Sequence, residues 1–138
     1  MKEINIYIRG SCKNTGSNEE LKEGSYIALL EYKGRFKQYV GKDTQTTSNR
    51  MLITALIKGI EFLKEPCIIN LYTPTPLGFK SWKGSPNKDL LKEVIDLIQI
   101  NCHEINEYIS KDKQNYLAKV LKNIWYIIYR LWFNIYMI

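Results

Sequence analysis

Few side chains in this sequence are equipped for chemistry, and those that are stand far apart. The one imidazole, His103, has no second histidine with which to share a metal or a proton, and it reads as a surface or strand-end residue. Cys12, Cys67 and Cys102 are an odd, widely spaced set with no C-x-x-C and no Cys/His cluster, so there is no zinc signature and the thiols read as free. Hard-cation chemistry needs carboxylates that converge. Asp43 precedes the first helical segment, Glu61 lies near its end, and Glu107 lies on the last strand-like run, so nothing in the chain order gathers them and they read as solvated acids. The most conspicuous charged residue is Arg9 in IYIRGSC, where an alternating strand runs into a Gly-Ser turn.

The totals set broad limits. A chain of 138 residues is one domain long enough to bury a core. The formal charge of +6 is compatible with an acidic partner, nucleic acid or an anionic membrane surface, and equally with a lysine-coated soluble surface. MKEINIYIRG lacks the apolar stretch of a signal peptide, and together with free thiols this implies a reducing, cytoplasmic setting.

The elements that must position these residues follow from periodicity. INIYI (4–8) alternates as a strand does, and the polar, glycine-containing run 12–24 reads as a surface loop. SYIALLEY (25–32) and RFKQYVGK (35–42) read as strands joined at Lys33-Gly34, a hairpin signal. Leu52, Leu56, Ile60 and Leu63, with Ile53 and Ile57, recur at helical spacing after candidate N-caps Thr46, Thr47 and Ser48, and Pro66 closes that helix. CIINLYT (67–73) is a buried-strand run, PTPLGFKSWKGSP holds at most a short helix, 87–101 is helical, and CHEINEYI (102–109) is a last strand. A long helix follows from about Lys113. The order is βββαβ, a helical region, β, α, with no internal repeat and no second domain.

That order, with several short strings, resembles type 1 ribonuclease H. IYIRGSC stands where the family has a first strand and T-D-G-S-C; TTSNRM matches T-T-N-N-R-M-E apart from the glutamate; INLYTPT matches the fourth strand with its T-D-S run; SWKG…NKDL resembles W-K…N-x-D-L without the long basic protrusion; NYLAK resembles the D-x-L-A opening of the final helix. The resemblance covers roughly residues 4 to 120. It implies an α/β fold with a five-stranded mixed sheet, the first three strands antiparallel, flanked by helices. It also implies four carboxylates on two divalent metals, and these fall on Arg9, Leu52, Pro74 and Asn115, none of which is acidic. The expectation is therefore a catalytically inactive domain with no metal or other cofactor. Matching the family's contacts to hybrid minor groove, sugar hydroxyls and phosphate gives Ser11, Asn14, Thr47 and Asn49 as nucleic-acid-binding positions, with Arg9 added as a bidentate phosphate donor. For Thr47 and Asn49, helix capping is at least as good an account.

The tail KVLKNIWYIIYRLWFNIYMI carries two stripes. Leu117, Leu121, Ile124, Ile128, Leu131 and Ile135 suffice to dock a helix on a sheet; Trp125, Tyr129, Trp132 and Tyr136 form a second stripe beside them. Arg130 and Asn134 interrupt it, and the fully apolar run is far short of the roughly 20 residues of a bilayer span. The second stripe reads as a homo-oligomer or protein-partner surface. Three readings stand in order: a non-cleaving binder of RNA or RNA–DNA hybrid, a protein-interaction module using the aromatic tail, and an active metal-dependent ribonuclease with relocated carboxylates.

Overall fold

The computed structural model describes residues 1–12 and 23–109. Strands β1 (Lys2–Cys12), β2 (Glu23–Tyr32), β3 (Arg35–Thr44), β4 (Cys67–Thr73) and β5 (Glu104–Ile109) form one mixed sheet in the order β3-β2-β1-β4-β5. The first three strands are antiparallel, and β4 and β5 join in parallel. Helices α1 (Ser48–Glu61) and α2 (Lys88–Ile100) and a short 3-10 segment (Phe79–Gly84) complete the described elements. The expected five-stranded α/β architecture is what forms.

Alternation in β1 explains the core. Ile4, Ile6 and Ile8 turn to the helical side and pack with Leu52, Leu56 and Ile60 of α1, while Leu91 and Val94 bring α2 into the same cluster. The other face carries rows of asparagine and tyrosine ordered by register. Asn5 pairs with Asn70 and Asn70 with Asn106; Tyr7 pairs with Tyr72 and Tyr72 with Tyr108. The tyrosines stack at 5.0 and 5.3 Å between ring centroids. The asparagines pass hydrogen bonds along the row, Asn106 Nδ2 to Asn70 Oδ1 at 3.4 Å and Asn70 Nδ2 to Asn5 Oδ1 at 3.3 Å. This row comes from an I-N-x-Y string at 4–7, 69–72 and 105–108. It is a short recurrence on three neighbouring strands.

The boundaries moved for local reasons. Helix α1 ends at Glu61 rather than at Pro66, because the Phe62 and Leu63 amides turn back to Gly59 and Ile60 carbonyls at 3.2 and 2.9 Å and tighten the last turn. β5 begins at Glu104 rather than Cys102. Cys102 takes a left-handed φ of 56°, and the His103 amide donates to Ile98 O at 2.9 Å, which closes α2 in a Schellman-type end. Lys33 (φ 48°) and Gly34 (φ 76°) form the tight β2–β3 hairpin with both central residues left-handed, as a type I′ turn requires.

Candidate nucleic-acid interface

The end of the sheet where β1 meets α1 is held by a glycine. A Cβ on Gly10 would lie 2.7 Å from the Leu52 amide nitrogen, 2.8 Å from Met51 Cβ and 2.9 Å from the Ser48 carbonyl oxygen. Only a residue without a side chain lets strand and helix meet this closely. On the face away from α1, Arg9 and Ser11 flank that contact, and both are exposed. Ser11 is paired in register with Ser25, and their hydroxyls lie 2.9 Å apart. Arg9, Ser11, Ser25 and Val40 line a shallow cavity of about 250 Å³. Arg9 makes no ion pair among the described residues.

Thr47 and Asn49 reach the same end from α1. Thr47 is the N-cap: its Oγ1 accepts from the Arg50 amide at 3.2 Å, which satisfies one of the helix's orphan donors. The hydroxyl of this exposed residue keeps its own hydrogen available as a donor. Asn49 is exposed, and its amide makes no side-chain hydrogen bond among the described residues. It borders a groove of about 210 Å³ with Leu77, Pro86 and Asn87. Arg50, beside it, is fully engaged. It forms a two-pronged pair with Asp89 at 3.0 and 2.8 Å and reaches Asn87 at 3.5 Å, tying α1 to the start of α2. The Arg50 hydrogen bonds hold the Asp89 carboxyl down to about 2. Ser25 had no signal in the sequence; it becomes part of the site only once the β1–β2 register is known.

The positions at which the resemblance places metal ligands do not fit a divalent cation. Arg9 brings a positive charge. Leu52 is 3% exposed and packed in the aliphatic core. Pro74, the residue after the end of β4, has no side-chain donor atom. Asp43, Glu61 and Glu107 are engaged separately. Asp43 Oδ1 accepts from the Thr44 amide at 2.8 Å, Glu61 pairs with Lys58 at 3.8 Å, and Glu107 accepts from the Leu77 amide at 3.3 Å. Among the described residues no group of three or more His, Cys, Asp or Glu could hold a metal ion. Asn14, Asn115, the expected helix from about Lys113 and the stripe Trp125, Tyr129, Trp132 and Tyr136 lie outside the described residues.

His103 differs from its expected surface placement. It is 7% exposed, and its Nδ1 accepts from the Cys67 amide at 3.0 Å. That bond puts the neutral ring's proton on Nε2, which is buried and has no partner among the described residues, and burial pushes the imidazole below its ordinary value. Cys67 and Cys102 form no disulfide among the described residues. No helix among the described residues is long and apolar enough to cross a membrane.

No family model matches the chain. Individual proteins do. The Ribonuclease HI of Campylobacter jejuni is 34% identical over 129 residues, covering 85% of this chain and 84% of its own. The Ribonuclease H of Legionella pneumophila strain Lens is 33% identical over 134 residues, covering 86% and 90%, and that of strain Corby is 43% identical over 100 residues. Among solved structures, LC9-RNase H1, a type 1 RNase H with the type 2 active-site motif, superposes with a TM-score of 0.61 at 18% identity, covering 87% of this chain and 70% of its own. LC11-RNase H1 in complex with an RNA/DNA hybrid superposes at 0.60 and 15% identity, covering 80% and 87%. The curated relatives are named as an enzyme, and this overturns the expectation, drawn from Arg9, Leu52, Pro74 and Asn115, that the chain is not one. Those four identities say which side chains stand at four positions; they do not establish a loss of activity. With identity at this level over most of both chains, the protein belongs to the ribonuclease H family.

Proposed function

We propose that this ribonuclease H-family domain engages an RNA–DNA hybrid at the Gly10 end of its sheet. The observation that carries the reading is the pairing of an unengaged cation with an unengaged amide there. Among the described residues Arg9 is exposed without an ion pair, and Asn49 is exposed with its carboxamide unused. Arg50, one residue further on, is fully engaged in structure. Arg9 supplies a planar, permanently charged donor for a backbone phosphate. Asn49 and Ser11, which can donate and accept, suit a sugar 2′-hydroxyl, the group by which a protein tells RNA from DNA. Thr47 keeps its helix-capping bond and adds a hydroxyl donor toward phosphate. The Ribonuclease H name of the relatives and the hybrid held by LC11-RNase H1 support this choice of nucleic acid.

The test is fluorescence anisotropy with a labelled hybrid and a DNA duplex of the same sequence, in chelator so that binding is read apart from strand cleavage. The expected result is tighter binding of the hybrid and a loss of that preference in Asn49→Ala. Equal affinity for hybrid and DNA duplex, unchanged by Asn49→Ala, would overturn the reading.

A further inference from the structure

The opposite end of the sheet holds a cavity of about 500 Å³, within the range typical of ligand pockets. It lies on the helix-bearing face, between the β2–β3 hairpin, the start of β1 and the end of α1. Register puts its walls there. Ile6 pairs with Leu30, Leu30 with Lys37, and Tyr32 with Arg35, so these side chains share the face of Ile4. The floor is aliphatic, with Ile4, Leu30 and the half-buried Leu63 contributing. The rim is basic: Lys2, Arg35, Lys37 and Lys64 stand around one carboxylate, Glu65. Lys2 pairs with Glu65 at 3.5 Å, and Arg35, Lys37 and Lys64 have no acidic partner among the described residues.

These features select among anionic ligands. A nucleobase needs an open ring face to stack on, and the rings over the hollow are occupied. Tyr32 carries Lys2 at 4.1 Å and Lys33 at 5.4 Å from its centroid. Phe62 carries Lys37 at 4.1 Å and meets Tyr39 at a tilt, 5.8 Å between centroids. Phe36 pairs with Glu31, so its ring belongs to the other face of the sheet. A lipid surface takes up apolar groups that protrude, whereas Ile4 and Leu30 form the bottom of a hollow, 6% and 4% exposed. A single fatty acid suits the floor but brings one negative charge to several unpaired cations. A peptide with carboxylates on either side of one apolar side chain uses floor and rim together.

We infer that this cavity docks an acidic peptide segment of a partner protein, with one apolar side chain seated on Ile4, Leu30 and Leu63 and the flanking carboxylates held by Arg35, Lys37 and Lys64. The buried anchor supplies most of the affinity in such a contact. The charged rim supplies orientation and on-rate. Arg35 offers a planar fork to one carboxylate, and the lysines offer point charges to others. The site is separate from the Gly10 end: Lys2 and Arg9 stand at opposite ends of one strand, roughly 23 Å apart at about 3.3 Å per residue.

The test is amide NMR titration of the full chain with a short capped peptide of aspartates and glutamates around one central leucine, and with the same peptide carrying glycine in place of the leucine. The single strand (dT)8 and phosphatidylglycerol vesicles are the competing anions. The expected result is saturable perturbation of the Lys37, Leu63 and Lys64 amides by the leucine peptide. The glycine peptide should bind about tenfold more weakly, having no aliphatic side chain to bury. Arg35→Ala and Lys64→Ala should each weaken the leucine peptide about threefold, the size of an exposed ion pair. Both positions are exposed, so the variants fold. Equal affinity for the two peptides, tighter binding of (dT)8 or of the vesicles, or an affinity unchanged in both variants would overturn the inference. So would the lack of a saturable shift at these amides, or shifts confined to Arg9, Ser11 and Asn49. Hybrid affinity in Lys64→Ala tracks the Gly10 end independently, so the two readings fail separately.

Discussion

At the Gly10 end of the sheet, one arginine and one carboxamide stand without partners among the described residues, beside a close backbone junction. At the hairpin end, four cations crowd an apolar hollow and two of them lie on aromatic rings. The two ends use the same kinds of residue for different purposes. The first has little charge but tightly fixed geometry, because Gly10 presses β1 onto the backbone of α1. Such a frame suits the reading of a defined double-helical shape. The second has abundant charge around an apolar hollow, with Lys2 and Lys37 lying on the rings of Tyr32 and Phe62. Fold-level kinship bears on the first end; the second follows from local composition alone.

The sharpest way to break the comparison is at the glycines. Gly10→Val drives side-chain atoms into Leu52 N and Ser48 O and should cost about 3 kcal/mol by overpacking against backbone that cannot yield. Gly34 at the other end has a positive φ, but nothing lies within 4 Å of its Cβ position, and Asn tolerates that conformation. Gly34→Asn should cost no more than about 1 kcal/mol. Urea unfolding of the two variants checks the contrast; equal losses would mean that the Gly10 junction is not the rigid frame described.

The next effect lies at the hairpin end, where Cys67 lines the cavity and leans on His103. Protonating Nδ1 would set a donor against the Cys67 amide donor. The folded imidazole is pushed below 6.5, so the unfolded chain binds the extra proton first. Stability is therefore intact above 6.5 and falls as pH drops from there toward the lower folded value. His103→Ala leaves the buried Cys67 amide unpaired and should cost about 2 kcal/mol at neutral pH. His103→Asn can keep an acceptor near the Nδ1 position and should flatten the pH dependence. Thermal melts between pH 7.5 and 5 decide it.

Much of the fold was legible because the apolar periods were clean. Ile4, Ile6 and Ile8 alternate, Leu52, Leu56 and Ile60 recur at helical spacing, and Lys33-Gly34 marks the hairpin. The polar face was not read. Alternation gives one face of each strand but not which strands are neighbours, so the three I-N-x-Y strings became a row only through the parallel register of β1, β4 and β5. His103 was missed for a related reason: its burial depends on the Schellman-type turn at Cys102 and on the Cys67 amide, 36 residues away. At the candidate site, Arg9, Ser11, Thr47 and Asn49 were all visible as residues. What the sequence lacked was their state: Thr47 committed to its cap, Asn49 left open, and Arg50 committed to Asp89. The hairpin-end cavity was invisible, because Lys2, Arg35 and Lys64 come from three separate elements and only the closed sheet assembles them.

Between the two arginines of the Gly10 end, Arg9→Ala should weaken hybrid binding about tenfold, the size of a lost charge-assisted hydrogen bond. It should also lower the slope of log affinity against log salt by about 1, since one phosphate contact no longer releases its counterion. Arg50→Ala removes an equal charge from a residue turned toward α2 and should change affinity less than threefold, with little change of slope (an order-of-magnitude expectation for a charge without a phosphate contact). Equal slopes in the two variants would mean that net charge, not Arg9 itself, meets the phosphate.

The smallest expected effect is that same Arg50 pair read as stability. Asp89 is mostly exposed, so the two-pronged geometry works against solvent screening, and the pair should contribute no more than about 1 kcal/mol. Its pH signature nonetheless distinguishes it from His103. The Asp89 carboxyl is held down from 3.8 to about 2, so its contribution is fully present above 3.8 and lost as pH falls through about 2. His103 acts in the opposite range, beginning near 6.5. A stability profile from pH 8 to 2 should therefore show a first decline that His103→Asn removes and a shallow second one that Asp89→Asn removes. The second should also shrink in high salt, whereas a buried hydrogen bond such as that of His103 should not respond. If Asp89→Asn removed the first decline, the acid-sensitive contact would belong to the Gly10 end, and the assignment of one titrating group to each end of the sheet would be wrong.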